Sequence, residues 1–148
     1  MKLIKNGQII ENNELVKKDI LIDKNRIVKI ADFIDNNNYE VIDALNCLVM
    51  PGAVDVHVHF REPGFEKKET IKTGSMAAAK GGVTTAMTMP NLNPCPDNVE
   101  SLNLQKNIIK RDSVINLYPY GSVSVGEGTC ELADIDGMHS MVTAISDD

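Results

Sequence analysis

The sequence predicts an α/β chain in which a small antiparallel β module precedes a parallel sheet with intervening helices. Two observations carry that class. Up to about residue 50, short β-rich runs alternate with turn signals. After Pro51-Gly52 the rhythm becomes strand, helix, strand, and alternating strands and helices favour a parallel sheet. A third observation concerns function. In VDVHVHFREPG (54–64), Asp55, His57, His59 and Arg61 fall at every second position. Strand side chains alternate between faces, so these four share one side, while Val54, Val56, Val58 and Phe60 share the other.

In the first part (1–50), the predicted runs are Leu3 to Ile4, Gln8 to Ile10, Asp19 to Ile22, Arg26 to Ile30, Glu40 to Ile42 and Cys47 to Met50. Asn6-Gly7 reads as a hairpin turn, because both residues tolerate positive φ. Asp23 to Asn25 and Asn36 to Asn38 are further breaks. The second part (51–148) opens with a strand over Val54 to Phe60. A helix is expected over 67–80, favoured by Ala77 to Ala79 and stopped by Gly81-Gly82. VTTAMTM (83–89) is a β-branched strand ended by Pro90. A helix with Asp97 as N-cap follows to about Arg111, its apolar stripe made by Val99, Leu102, Ile108 and Ile109. VINLYPYG (114–121) is a third strand, a weaker helix covers 131–139, and MVTAIS (141–146) is a fourth strand.

Bulk properties exclude several classes. The 148 residues carry a net charge of -6 with Lys and Arg scattered, which leaves no electrostatic footprint for nucleic acid. Hydrophobic content of 43% and charged content of 24% suit a soluble globular chain. MKLIKNGQII lacks the apolar run of a signal peptide, and nothing approaches a membrane span of about 20 apolar residues. Cys47, Cys95 and Cys130 are odd in number and without a CxxC, so they read as reduced thiols of a cytoplasmic protein.

In parallel α/β sheets, functional groups collect at the carboxyl ends of the strands, and the polar candidates lie there. His57 and His59 on one strand face aim two imidazoles at a common point, as a divalent ion such as zinc requires; a chance pair is the alternative. Asp147 and Asp148, ending the fourth strand, offer carboxylate ligands or else loop and cap carboxylates. Asp55 has the parity of a partner that orients a histidine, or of a carboxylate satisfied by backbone amides. Arg61 presents a planar fork suited to a carboxylate, or pairs at the surface with Glu62 or Glu66. Asn91 could donate to the same ligand, or serve the turn built by Pro90 and Pro94. His139 reads as solvated, Tyr118 and Tyr120 as strand packing, and Gly81-Gly82 as a helix stop rather than a phosphate loop.

PGAVDVHVHFREPG, KETIKTGSMAAAKGGVTT, MPNLNP and ISDD together resemble the bacterial type I dihydroorotases of the amidohydrolase superfamily, and the resemblance runs over the whole chain. HxHFREPG joined to MPN is specific, whereas HxH alone is widespread among metal-dependent hydrolases. The resemblance implies a (β/α)8 TIM-type barrel, of which residues 51–148 would supply the first four strands behind a β module of residues 1–50. It implies one or two zinc ions held by His57, His59 and Asp148, the last bridging with Asp147 beside it. His59, Arg61 and Asn91 match positions that contact substrate. The implied reaction is reversible hydrolysis of dihydroorotate to N-carbamoyl-L-aspartate in pyrimidine biosynthesis. Leu92 stands where the family usually has Thr, and Ile145 where it usually has Phe; neither removes a functional group.

Rival readings are a hydantoinase or allantoinase, whose sequences tend toward HVHxNEPG and MPLN, and a non-catalytic subunit that scaffolds aspartate carbamoyltransferase. Partners follow accordingly: the small-molecule substrate, no nucleic acid, no membrane, and a homodimer or a carbamoyltransferase complex as the assemblies open to it. The family draws further histidines from strands five and six and its general base aspartate from strand eight. The sequence holds three histidines in all and His139 is wrongly placed to substitute, so those later ligands, like the strand-eight base, are expected beyond residue 148, and residues 1–148 alone are expected to be inactive, poorly soluble and at best weak in binding zinc.

Overall fold

A computed structural model describes residues 1–148. The chain divides into two compact units, Met1–Pro51 and Gly52–Asp148. No helix is long and apolar enough to cross a membrane.

The first unit holds β1 (Lys2–Glu11), β2 (Glu14–Asp23), β3 (Arg26–Ala31) and β4 (Glu40–Asp43), in sheet order β3-β2-β1-β4. β1 and β2 close through Asn12-Asn13, with φ of 52° and 64°, the mirror-image turn that matches strand twist. The reversal is therefore not at Asn6-Gly7. Asn6 does take a positive φ of 63°, but it lies inside β1 at a register shift between Ile4 and Gly7. The physical reason is the carboxylate of Asp19, on β2, which accepts the Asn6 N–H at 3.0 Å and so holds the irregularity within the strand pair. β4 pairs parallel to β1, so the sheet is mixed rather than purely antiparallel. Cys47 to Met50 forms no strand; one parallel bridge, Gln8 to Leu48, takes its place.

Leu3, Leu21 and Ile34 form the core of this unit. Beside it Asp19, 3% exposed, also accepts the Ile34 N–H at 3.0 Å and pairs with Lys5 at 2.9 Å. Burial alone pushes this carboxyl up, but the Lys5 ammonium and the two amides outweigh it and hold the group below its ordinary value.

The second unit is built on β5 (Ala53–Val58), α1 (Ile71–Lys80), β6 (Val83–Thr88), α2 (Val99–Asp112) and β7 (Asn116–Pro119), followed by a one-turn α3 (Ile135–Met138). The three strands pair in parallel in the order β5-β6-β7. α1 begins at 71 rather than 67 because Thr70 caps it: the Thr70 hydroxyl accepts the Thr73 N–H and the Thr73 hydroxyl accepts the Thr70 N–H, each at 3.1 Å. It ends at Gly81, and Gly82 turns the chain with φ of 85°. The cap of α2 is Asn98, not Asp97. Asn98 Oδ1 accepts from Glu100 and Ser101 at 2.9 and 3.0 Å, while the Asp97 carboxylate is engaged by Gly126 N–H and the Asn98 amide.

Phe60, Ile71, Ala86 and Leu117 form the core between sheet and helices. Gly74 lets α1 approach this core, since a Cβ there would lie 2.6 Å from the Phe60 ring. Val54 and Val56, on β5, are each 58% exposed.

The expected fourth strand, 141–146, is not a strand. One parallel bridge joins Gly121 to Ile145, with Gly121 N–H to Ala144 O at 3.2 Å and Ser146 N–H to Gly121 O at 3.0 Å. The Tyr120 N–H points the other way, to Thr88 O on β6, so Pro119 is the next residue of β7 facing 141–146. Proline has no N–H to extend the ladder, and pairing stops after one bridge.

Candidate metal centre

The geometry begins with backbone alternation. β5 delivers His57 at its carboxyl end, and His59 follows two residues later on the same side. Their Nε2 atoms lie 3.2 Å apart, with ring centroids at 5.0 Å and planes at 67°. Two imidazole nitrogens bound to one tetrahedral zinc at about 2.0–2.1 Å would stand about 3.3–3.4 Å apart, so the pair is spaced for a shared ion. Asp148 completes a group whose ligand atoms all lie within 4.8 Å of one another, its Oδ1 3.9 Å from His59 Nε2. Two imidazole nitrogens and one carboxylate oxygen form a donor set suited to a divalent metal.

Asn91, just after β6, ties two of these groups together. Its Nδ2 can only donate and faces Asp148 Oδ2 at 2.5 Å, which leaves Oδ1 to accept from His59 Nδ1 at 3.0 Å. The His59 proton is thereby assigned to Nδ1, and the Nε2 lone pair turns toward His57 and Asp148. The Asn91 segment is anchored on both sides, by Met89 N–H to Val58 O at 2.9 Å and Asn93 N–H to Pro63 O at 3.1 Å.

The two terminal aspartates differ in what they do. Asp147 Oδ1 accepts the Val123 and Ser124 N–H groups at 2.8 and 3.2 Å, and its Oδ2 accepts the Ser124 hydroxyl at 2.6 Å. Burial opposes its ionisation, but the Ser124 hydroxyl and the two amides prevail and hold it below the usual carboxylate range. Its carboxylate is thus engaged by the 123–124 segment, while that of Asp148 faces the histidines.

Asp55 accepts the His57 backbone N–H at 3.0 Å rather than an imidazole proton. Arg61 is half-buried and pairs with neither Glu62 nor Glu66. Glu62 caps α1 through the Ile71 N–H and lies 4.0 Å from Arg111, and Glu66 accepts the Gly64 N–H. His139 is exposed, its Nδ1 bonded to Asp136 O, and does not join the group. The Tyr120 hydroxyl donates to Val56 O at 2.8 Å, joining the end of the third strand to β5.

One residue at this site carried no signal in the sequence. Glu127 Oε1 accepts the Asp148 N–H at 3.1 Å. Burial, followed by the nearby Asp147 and Asp148 charges, pushes its carboxyl up against the pull of that amide. A lone Glu in GEGTCEL fits no periodicity, and only the return of the chain to this loop brings it to Asp148.

The chain is 53% identical over 146 residues to a dihydroorotase of Fusobacterium nucleatum subsp. nucleatum, covering 99% of the chain and 34% of that protein. It is 44% identical over 148 residues to a dihydroorotase of Bacillus thuringiensis, covering 99% and 35%. The chain thus spans about a third of the length of the curated relatives it matches. Among solved structures, an L-hydantoinase (dihydropyrimidinase) from Arthrobacter aurescens superposes with a TM-score of 0.80 at 22% identity, over 97% of this chain and 32% of that one. A D-hydantoinase (dihydropyrimidinase) from Thermus sp. gives 0.68 at 34% identity, over 84% and 28%. The family described as dihydro-orotase-like matches residues 46–148, and the chain belongs to that family.

Proposed function

We propose that this chain is the N-terminal part of a zinc-dependent dihydroorotase, which opens the cyclic amide of dihydroorotate to N-carbamoyl-L-aspartate and closes it again in pyrimidine biosynthesis. The observation that carries the reading is the convergence of His57, His59 and Asp148 in a chain of the dihydro-orotase-like family. Residues 51–148 are read as the opening portion of a (β/α)8 barrel and residues 1–50 as its β module, acting in the cytoplasm.

Each residue has a stated task. His57 and His59 present Nε2 lone pairs to the ion, and Asp148 presents its carboxylate. Asn91 keeps His59 in the tautomer that frees Nε2 and steers Asp148. Zinc, when bound, supplies Lewis acidity that brings water toward ionisation near neutral pH and polarises a carbonyl. Arg61, left without an acidic partner, offers its fork to the ring carboxylate of the substrate, with Asn91 and His59 contacting the same molecule. Engaging the substrate through that carboxylate orients the ring amide toward the ion.

The hydantoinase names of the solved neighbours favour a second reading, a hydrolase of simple hydantoins. Those rings lack the carboxylate that Arg61 would bind. The test is to express the full gene product beside residues 1–148, and to measure zinc content and turnover of dihydroorotate, hydantoin and allantoin. Dihydroorotate turnover confined to the full product supports the proposal. Efficient hydrolysis of hydantoin or allantoin without dihydroorotate turnover would overturn it.

A further inference from the structure

We propose that Glu127 is a positioning residue for Asp148: its carboxylate captures the Asp148 N–H, and the 122–129 loop on which it sits acts as the template for that carboxylate's backbone. The proposal rests on the reading of Asp148 as a metal carboxylate.

Three sets of contacts build the template. Asp147 binds the loop through the Val123 and Ser124 N–H groups and the Ser124 hydroxyl, at 2.8, 3.2 and 2.6 Å. The Ser124 hydroxyl oxygen also accepts the Thr129 N–H at 3.0 Å, which closes the loop on itself. Glu127 then reaches back from the loop to residue 148, with Oε1 3.1 Å from its N–H. Consecutive residues are thus held in opposite senses: Asp147 grips the loop with its side chain, and the loop grips Asp148 by its backbone. The Asp148 side chain is left to face His59 and Asn91.

Backbone conformation adds an independent observation. Gly126, Glu127 and Thr129 all have positive φ, of 57°, 57° and 65°. Glycine adopts this region freely, whereas Glu and Thr do so only at a conformational cost. Such strain persists where surrounding contacts over-determine it, and here they are the Asp97 carboxylate on Gly126 N–H at 2.9 Å, the Ser124 hydroxyl on Thr129 and the Glu127–Asp148 bond. The left-handed turn swings the Glu127 side chain toward residue 148.

An acceptor that orients a metal carboxylate through its peptide should act on metal affinity as other outer partners of ligands do, by about 10–100-fold. Glu127→Ala and Glu127→Gln in the full-length protein separate the possibilities, since Gln keeps a carbonyl oxygen and loses only the charge. The readouts are zinc affinity by chelator competition, the visible spectrum of the cobalt-substituted protein, and hydrogen exchange of the Asp148 amide in the metal-free protein. Glu127→Ala is expected to weaken zinc by about 10-fold or more, to alter the cobalt spectrum and to expose the Asp148 amide. Glu127→Gln is expected to restore all three nearly to wild type. Wild-type behaviour of Glu127→Ala overturns the proposal. Equal loss in both variants also overturns it, because charge and not the bond to the Asp148 N–H would then be responsible. If the wild-type protein holds no zinc, the dihydroorotase reading fails instead, and amide exchange still decides whether Glu127 holds residue 148.

Discussion

Replacing Asn91 by Ala removes one side chain that serves two others, and the outcome can be worked from the distances. The Asn91 amide accepts from His59 Nδ1 at 3.0 Å and donates to Asp148 Oδ2 at 2.5 Å. The first is a neutral hydrogen bond, worth about 0.5–1.5 kcal/mol net; the second engages a carboxylate and is worth about 1.5–3 kcal/mol. Their sum is an upper bound, because the side chains of His59 and Asp148 are 29% and 43% exposed and water can replace part of what is lost. A loss of about 1.5–3 kcal/mol in zinc binding remains, or about 10–100-fold in affinity, the range found when outer partners of metal ligands are removed. The assay is chelator competition for zinc, with the His59 tautomer read by nitrogen NMR in the metal-free protein. Asn91→Ala should mix the two His59 tautomers as well as weaken zinc. Substrate contact alone would change the Michaelis constant and leave both readouts untouched. Zinc affinity within about twofold of wild type and an unchanged tautomer would refute the reasoning, since both bonds together should be worth at least tenfold.

Arg61→Met should weaken apparent dihydroorotate affinity by about 10–100-fold, the worth of one charge-assisted bond, while zinc affinity stays as in wild type; steady-state kinetics with zinc analysis checks this, and unchanged kinetics would return Arg61 to a surface role. Asp19 predicts the acid sensitivity of the N-terminal unit. Its carboxyl is held below the ordinary value, so it contributes its full stability above the unfolded value of about 3.9 and loses it as pH falls through the lower folded value. Protection of the Asn6 and Ile34 amides, which donate to it, should hold from neutrality down toward pH 4 and fail below. Asp19→Asn, which leaves Lys5 without its counter-charge, should cost about 2–4 kcal/mol in denaturant unfolding at pH 7 and flatten that acid dependence. A variant as stable as wild type at pH 7 would show that the pair contributes nothing.

The sequence by itself determined the features that depend on neighbours along the chain. The parity of Asp55, His57, His59 and Arg61 follows from strand geometry, and the Nε2 atoms of His57 and His59 do meet at 3.2 Å. The strand–helix rhythm of the second unit followed from periodicity, with the helix stop at Gly81-Gly82 where no side chain resists the turn. Tertiary structure decided whatever depends on partners distant in sequence. The Asn6-Gly7 pair carries a hairpin signature, yet the Asp19 carboxylate thirteen residues away holds Asn6 within a bulged strand and passes the reversal to Asn12-Asn13. The run 141–146 has strand composition, but the backbone facing it presents Pro119, so pairing ends at one bridge. Asp147 and Asp148 are alike as letters; three donors from residues 123 and 124 occupy the first and leave the second to face the histidines. Glu127 had no local signal at all. Backbone periodicity is written in consecutive residues, whereas the assignment of a carboxylate depends on which donors the folded chain brings within hydrogen-bonding distance.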